Sequence, residues 1–336
     1  MKNPSINISF KMKKVKPIDP ELLVKGILDG NIVALSRAIT LLESKLPKHK
    51  SNANIVIDKC LPFSGNAIRI GITGVPGVGK STFIEALGSH LLQLGKKIAI
   101  LAIDPSSQKR GGSILGDKTR METLVNNKNV YIRPSPSKGA LGGVAQQTRA
   151  SILLCEAAGF DVVIVETVGV GQSEIAVHGM VDFFLLLMLS GAGDELQGIK
   201  RGIMEMADTI AITKADGENI LNSKKAKQRY KNALHLFPAN ANQWIPEVVN
   251  CSSLENTGIK NVWEIIQKFE RHTKLKGFFN QNRNNQAKYW MYEKINDELK
   301  RRFYENEDIA KQLPELENRI IKGEISPFTV AKKLLG

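Results

Sequence analysis

The chain has 336 residues, of which 42% are hydrophobic and 24% are charged, a composition typical of a globular protein with ample material for a core. This length allows one large α/β domain or two small ones. The formal net charge is +14, but the basic residues are scattered and aromatic residues make up only 6%, so a nucleic-acid-binding protein is not predicted.

The cysteines and the apolar runs exclude two further classes of protein. Cys60, Cys155 and Cys251 are odd in number and far apart, so neither a disulfide framework nor a zinc site is expected. The N-terminus lacks the apolar segment of a signal peptide. The longest apolar run, Phe183–Leu189, is too short to cross a bilayer. We therefore expect a cytoplasmic protein without membrane insertion.

Two helices are predicted near the N-terminus. The first begins at Asp19-Pro20-Glu21, which supplies a capping carboxylate, a first-turn proline and an acidic residue behind it. The second runs from about Ile32 to Leu46, and residues 47–66 are predicted to be a connector. Residues 1–66 are thus assigned to an N-terminal helical extension and connector.

Residues 67–275 are predicted to form an α/β domain, because short apolar runs alternate there with helical patterns. Fully apolar strands of this kind form a parallel sheet with helices on both faces, and ligands bind at the carboxyl ends of its strands. After Leu275 the chain is polar and helical, and residues 276–336 are predicted to form a helical arm. The predicted strands are Ile68–Ile72, Ile98–Ile103, Val130–Ile132, Val162–Val165, Phe183–Leu189, Thr209–Ile212 and Pro246–Cys251.

A phosphate-binding loop follows the first predicted strand. The segment Gly74-Val75-Pro76-Gly77-Val78-Gly79-Lys80-Ser81-Thr82 matches G-x-x-x-x-G-K-[ST], and a helical pattern follows it. Glycines let backbone N–H groups turn toward phosphates, while Lys80 reaches the β and γ oxygens and Ser81 can ligate Mg²⁺. The fold class is therefore a P-loop NTPase with a mostly parallel, doubly wound sheet between helical extensions.

Carboxylates follow four of the predicted strands, where the chemistry of such a sheet is expected. They are Asp104, Glu166, the pair Asp194 and Glu195, and Asp216. One such carboxylate alone could be only a helix cap. Carboxylates at four strand ends, on the same edge as a phosphate loop, indicate a nucleotide site.

The base of the nucleotide is predicted from Thr213-Lys214-Ala215-Asp216, which matches [NT]-K-x-D. The Asp216 carboxylate can accept from N1–H and the 2-amino group of guanine, whereas adenine would leave it unpaired. The Lys214 stem would lie along the base. Ser252, Ser253 and Leu254 follow the last strand, where guanine-binding proteins often present a backbone N–H to the base oxygen. The sequence therefore predicts GTP and GDP as ligands.

The chain resembles the MeaB/ArgK/MMAA family of P-loop GTPases along nearly its whole length. Besides the phosphate loop and Asp104-Pro105-Ser106-Ser107, the similar segments are Gly111–Met121, Glu166–Gln172 and Gly191–Lys200. Members of this family accompany cobalamin-dependent acyl-CoA mutases of the methylmalonyl-CoA mutase type. The resemblance implies a GTPase that gates adenosylcobalamin loading and protects the mutase, and a homodimer formed through the C-terminal arm.

The resemblance also implies roles for single residues. Ser81 and a carboxylate from Asp104, Asp117 or Glu166 would hold Mg²⁺, directly or through water, and Asp104 lies where related GTPases orient the attacking water. Gly169 would sense the γ-phosphate. Gly191–Lys200 resembles an additional switch, with Lys200 moving toward the phosphates when the mutase binds.

The sequence departs from the family pattern at two places in the base site. Thr213 stands where the family usually has Asn, which removes one amide, and Ser253 stands where Ala is commoner. The first change is expected to weaken guanine selectivity, and the second to matter little.

Two other functions share these motifs. A metal-insertion GTPase would need thiol and histidine clusters to hold its ion, and the sequence has none. A transport-linked kinase of the ArgK type would need a phosphate acceptor, for which the sequence offers no candidate. A pure binding protein is disfavoured by the intact phosphate and magnesium residues.

Overall fold

The computed structural model describes residues 19–44, 46–104, 121–136, 141–167, 173–191, 201–238 and 242–335. Its centre is a seven-stranded sheet in the order β3-β2-β4-β1-β5-β6-β7, and every neighbouring pair is parallel. The strands are β1 (Ile68–Gly74), β2 (Ile98–Asp104), β3 (Val130–Pro136), β4 (Val162–Thr167), β5 (Phe183–Met188), β6 (Thr209–Ile212) and β7 (Glu247–Asn250).

The described residues also contain thirteen α-helices, together with short 3₁₀ turns at Leu61–Phe63 and Gly217–Asn219. The helices are α1 (Pro20–Leu28), α2 (Ile32–Glu43), α3 (Pro47–Cys60), α4 (Lys80–Gln93), α5 (Glu122–Val125), α6 (Leu141–Ala157), α7 (Ser173–His178), α8 (Arg201–Met206), α9 (Ile220–Leu234), α10 (Ile259–Leu275), α11 (Phe278–Tyr304), α12 (Glu307–Ile321) and α13 (Pro327–Leu335).

All seven predicted strands are confirmed: β6 has the predicted bounds, and the other six differ from the prediction at one or both ends. The largest difference is β3, which continues beyond the predicted Ile132 to Pro136 and pairs with β2 over its full length. Pro134 and Pro136 are tolerated because β3 lies at the edge of the sheet, where a missing N–H breaks no second ladder.

The predicted connector over residues 47–66 is wrong for most of that segment, because Pro47–Cys60 form α3. The helix buries Ala53, Val56 and Cys60, a spacing of three and four residues that places them on one face. Its other positions are mostly polar, so its apolar face is narrow. The second predicted helix also ends earlier than expected, at Glu43.

The sheet has an apolar core on each face. On one face, Phe83, Leu87 and other side chains of α4 pack with α10 against the inner strands. On the other face, helices α1, α2 and α3 join α6 in a single cluster with strand residues such as Leu101 and Val163. The N-terminal helices therefore complete the core of the sheet.

The first part of α11 is fastened to the same domain. Arg283 forms a two-bond ion pair with Asp182, with Nε to Oδ1 at 2.7 Å and Nη2 to Oδ2 at 2.6 Å. Nε2 of Gln286 donates to Val181 O at 2.8 Å, and Nε1 of Trp290 donates to Gly179 O at 2.9 Å. These three contacts attach one helix to the short segment between α7 and β5.

Farther along, α11 is exposed. Tyr292, Ile295 and Leu299 are 61%, 45% and 59% exposed, although all three are apolar or aromatic. Ile295 and Leu299 also line a cleft of about 960 Å³ between α11 and helices α2, α3 and α6. Among the described residues, no helix is both long enough and apolar enough to cross a membrane.

Candidate active site

The predicted phosphate loop lies between β1 and α4, as its motif requires. β1 ends at Gly74 and α4 begins at Lys80. A Cβ on Gly74 would lie 2.5 Å from the carbonyl oxygen of Leu187 on β5, so only glycine fits this close approach. Gly79, at the start of α4, has φ of +93°, a backbone conformation that glycine adopts without strain. The loop thus turns sharply into a helix whose amino end faces the loop.

Lys80 folds back over this loop. Its ammonium donates to the carbonyl oxygens of Gly74 at 2.9 Å and Val75 at 3.3 Å. The positive charge therefore lies above the same backbone whose N–H groups are predicted to surround the phosphates. This arrangement can neutralise an anion bound in the loop.

Ser81 and Glu166 meet beside the loop. The Ser81 hydroxyl donates to Glu166 Oε1 at 3.3 Å, and both residues are more than nine-tenths buried. Next to them, the Thr167 hydroxyl of β4 donates to the Thr73 hydroxyl of β1 at 2.8 Å. A hydroxyl and a carboxylate in contact provide the oxygen ligands that Mg²⁺ prefers.

Asp104 is the last residue of β2, whose carboxyl end adjoins that of β4 through the pair Ile103 and Thr167. Its backbone is therefore at the predicted edge, but its side chain lies outside the described atoms. Asp117, Gly169 and Lys200 also lie outside the described residues, so their predicted roles stay predictions.

The predicted base loop, Thr213–Asp216, is joined to the phosphate loop by Thr213. Its hydroxyl donates to Val78 O at 2.7 Å and contacts Met188 O at 3.3 Å, and its backbone N–H donates to Met188 O at 2.9 Å. The Thr213 side chain therefore holds two loops together.

Asp216 is held by the loop after β7. The Ser252 hydroxyl donates to Asp216 Oδ2 and accepts the backbone N–H of Glu255 at 3.1 Å. Ser252 is fully buried, whereas Ser253 is partly exposed and Leu254 is 82% exposed. The loop is predicted to contribute a backbone contact; the side-chain bond between Ser252 and Asp216 is not predicted, since nothing in the sequence pairs residues 36 positions apart.

Comparison with known proteins gives consistent matches. The family described as "Methylmalonyl Co-A mutase-associated GTPase MeaB" matches residues 35–308. A relative from Mycobacterium tuberculosis, named as a probable GTPase, is 46% identical over 313 residues, which cover 93% of each chain. The mouse protein named "Methylmalonic aciduria type A homolog, mitochondrial" is 41% identical over 93% of this chain and 78% of its own.

A solved structure is similar over almost the entire fold. It is described as "Crystal structure of LAO/AO transport system kinase" and is 36% identical, with a TM-score of 0.76. The match covers 96% of this chain and 98% of the other. The similarity therefore includes the terminal helices as well as the sheet and its loops.

Proposed function

The chain belongs to the family of methylmalonyl-CoA mutase-associated GTPases, which are P-loop enzymes that hydrolyse GTP, and from this we propose that it is the GTP-dependent chaperone of a cobalamin-dependent acyl-CoA mutase. In this role it would gate the loading of adenosylcobalamin and protect the mutase. The family match supports the mutase as partner. The observation that carries the nucleotide chemistry is the meeting of the phosphate loop, Glu166 and the Thr213 loop at one sheet edge.

We propose that GTP lies across this edge with its phosphates in the Gly74–Thr82 loop. Lys80 would neutralise charge on the β and γ oxygens, since transfer of a phosphoryl group to water depends on positioning and charge stabilisation. Ser81 and Glu166 fit a Mg²⁺ ion, with Asp104 and Asp117 as further candidates. The ion would neutralise charge on the phosphate oxygens, and Asp104 would orient the attacking water.

Guanine would be selected by Asp216. The Ser252 hydroxyl donates a hydrogen bond to Asp216 Oδ2 and so fixes the orientation of the carboxylate. This supports a rigid acceptor for the N1–H and 2-amino donors of guanine. Ser253 and Leu254 would complete the base pocket through their backbone. Gly169 and Lys200 are proposed to respond to the γ-phosphate and to the mutase, respectively.

We also propose a homodimer formed through the C-terminal arm, in the cytoplasm. The exposed side chains of Tyr292, Ile295 and Leu299 on α11 support this. Exposed apolar patches of this kind mark contacts between proteins, because burying them against a second chain removes apolar surface from water. A cytoplasmic location accords with three buried cysteines that are all free thiols.

The test of the proposed partner is complex formation with purified methylmalonyl-CoA mutase from the same cells, followed by sedimentation velocity. We expect a complex whose affinity differs between GDP and a non-hydrolysable GTP analogue, because a gate must distinguish the two states. A mutase that sediments alone with either nucleotide would refute the partner.

The transport-linked kinase is the second candidate, favoured only by the description of the similar solved structure. Labelled γ-phosphate separates the two functions. A GTPase releases all the label as inorganic phosphate, whereas a kinase leaves it on a protein.

A further inference from the structure

Lys214, in the middle of the base loop, has an unusual backbone. Its φ is +55°, and only two other non-glycine residues among those described, Gln243 and Asn256, have positive φ. L-residues rarely adopt this region because Cβ approaches the following carbonyl oxygen. Contacts outside Lys214 must therefore hold it there.

Asn219 supplies such a contact. Its Nδ2 donates to the carbonyl oxygen of Lys214 at 2.6 Å, and its Oδ1 accepts from the Ser190 hydroxyl at 2.7 Å. The Lys214 carbonyl can only accept, which fixes the orientation of the amide. Asn219 itself ends a 3₁₀ turn, and its backbone N–H donates to Asp216 O at 2.9 Å.

The base loop is thus held at both ends against β5. Thr213 bonds to Met188, the last residue of β5, and Asn219 bonds to Ser190, two residues beyond it. Ala215 N donates to Cys251 O at 3.1 Å, which ties the middle of the loop to the end of β7. Every residue from Thr213 to Asp216 therefore has its backbone or side chain fixed by a neighbouring element.

We propose that Asn219 is a positioning residue for the guanine base, acting through Lys214. The amide keeps Lys214 in its left-handed conformation, so that the lysine stem lies along the base and Asp216 points at its N1–H and 2-amino edge. Ser190 orients the amide. This inference rests on the proposed role of Asp216 in guanine selection.

Two substitutions test separately the two hydrogen bonds of the Asn219 side chain, one to the Lys214 carbonyl and one from the Ser190 hydroxyl. Asn219→Asp keeps an acceptor for Ser190 but places a carboxylate against the Lys214 carbonyl, so that bond is lost. Ser190→Ala removes the other bond and leaves the amide beside Lys214. Asn222→Ala, an exposed asparagine one turn further on, is the matched control.

The measurement is calorimetric affinity for GDP and for IDP, whose base lacks the 2-amino group. The wild-type protein should prefer GDP, because only guanine gives Asp216 its second donor. Asn219→Asp should weaken GDP binding at least about tenfold and IDP binding less, since guanine loses two contacts with Asp216 and hypoxanthine loses only the one at N1–H. Ser190→Ala should shift the GDP/IDP ratio in the same direction by a smaller factor, and Asn222→Ala should leave it unchanged.

Asp216→Asn distinguishes failure of this inference from failure of the base assignment. If Asp216→Asn collapses the GDP/IDP ratio while Asn219→Asp and Ser190→Ala keep it, Asn219 has no positioning role. An equal loss of GDP and IDP affinity in Asn219→Asp would also contradict the inference, because it indicates a merely structural effect. If Asp216→Asn itself keeps the ratio, the guanine assignment fails and the inference with it. If Asn219→Asp does not fold, the GDP/IDP affinity ratio of Ser190→Ala tests the inference: a lowered ratio supports it, and an unchanged ratio contradicts it.

Discussion

At the scale of single residues, the charge of Lys80 is the simplest feature of the site to remove. Lys80→Ala should lower the rate of GTP hydrolysis by about 10² to 10³-fold, because the phosphates lose a cation aimed at charge that develops in the transition state. The far-ultraviolet circular dichroism spectrum should not change. The measure is phosphate release under saturating GTP.

Lys97→Ala removes the same charge from an exposed position before β2 and is the matched control. It should hydrolyse GTP as fast as the wild-type protein. Full turnover in folded Lys80→Ala would contradict the assignment of the phosphate loop.

A second residue, Asp208, predicts a pH dependence of stability at the opposite end of the sheet. It precedes β6, is 8% exposed, and accepts the Phe184 N–H at 2.8 Å. Burial raises the pKa of Asp208 from 3.8 to about 8, and the charge of Asp182 adds to this rise while the Phe184 bond opposes it. The folded protein therefore keeps a proton that the unfolded chain releases above about pH 4.

The sign follows from proton linkage. Between about pH 4 and pH 8 the folded state binds more protons at this site, so the contribution of Asp208 to the free energy of unfolding falls as pH rises. Asp208→Asn keeps the acceptor but cannot ionise. Its thermal midpoint should decline less than that of the wild-type protein between pH 5 and pH 8.

Differential scanning calorimetry measures this slope, with the exposed Asp297→Asn as control. The control should follow the wild-type curve. Parallel curves for Asp208→Asn and the wild-type protein would show that Asp208 is ionised in the fold at pH 5.

At the scale of elements, the buried ion pair between Arg283 and Asp182 is one of the three contacts that anchor α11. The side chains of Arg283 and Asp182 are 12% and 2% exposed, and the guanidinium also donates to the Gly65 and Ala67 carbonyls. Arg283→Ala should lower the free energy of unfolding by about 3 to 5 kcal/mol, because it leaves a buried carboxylate without its cation.

Arg301 provides the control on the same helix. It pairs with Glu298 and Glu305 at the surface, where solvent screens the charges. Arg301→Ala should leave the urea midpoint unchanged. Equal midpoints for Arg283→Ala and Arg301→Ala would contradict the anchor.

The exposed part of α11 predicts the oligomeric state. Replacing Ile295 and Leu299 together by glutamate places charge in the proposed dimer contact, which should weaken association at least about 100-fold. Nucleotide binding should persist, since neither residue is near the loops after β1 and β6. Sedimentation velocity measures the mass.

Lys300→Glu, next to this stripe, introduces the same charge and should remain a dimer. If the variant with glutamate at positions 295 and 299 still sediments as a dimer, the proposed dimer contact on α11 is wrong.

The elements that could be predicted from the sequence are those specified by a pattern within one short, continuous segment. Each strand is a short apolar run, and the phosphate loop is one continuous motif, so both could be located without the structure. Helix α3 was missed because only Ala53, Val56 and Cys60 among its residues are buried apolar positions. The other positions resemble a polar connector.

Contacts between distant segments could not be predicted in the same way. Arg283 lies 101 residues from Asp182, and Asn219 lies 29 residues from Ser190. Nothing in the sequence around either pair identifies the partner, because the parallel crossovers of the sheet bring the segments together.

At the scale of the whole molecule, the nucleotide edge and the C-terminal arm belong to one connected structure. Glu166 and Thr167 end β4, and the segment between α7 and β5 that follows in the chain bears α11 through Asp182, Val181 and Gly179. Thirteen positions along the chain therefore separate Glu166 from Gly179, the first residue of this segment to which α11 is hydrogen-bonded.

The most direct test of the account is the rate of phosphate release from GTP, measured with and without purified methylmalonyl-CoA mutase. We predict slow hydrolysis by the protein alone and faster hydrolysis when the mutase is added. Lys200→Ala should keep the slow rate and lose the stimulation. An identical rate with and without the mutase would contradict the proposed function.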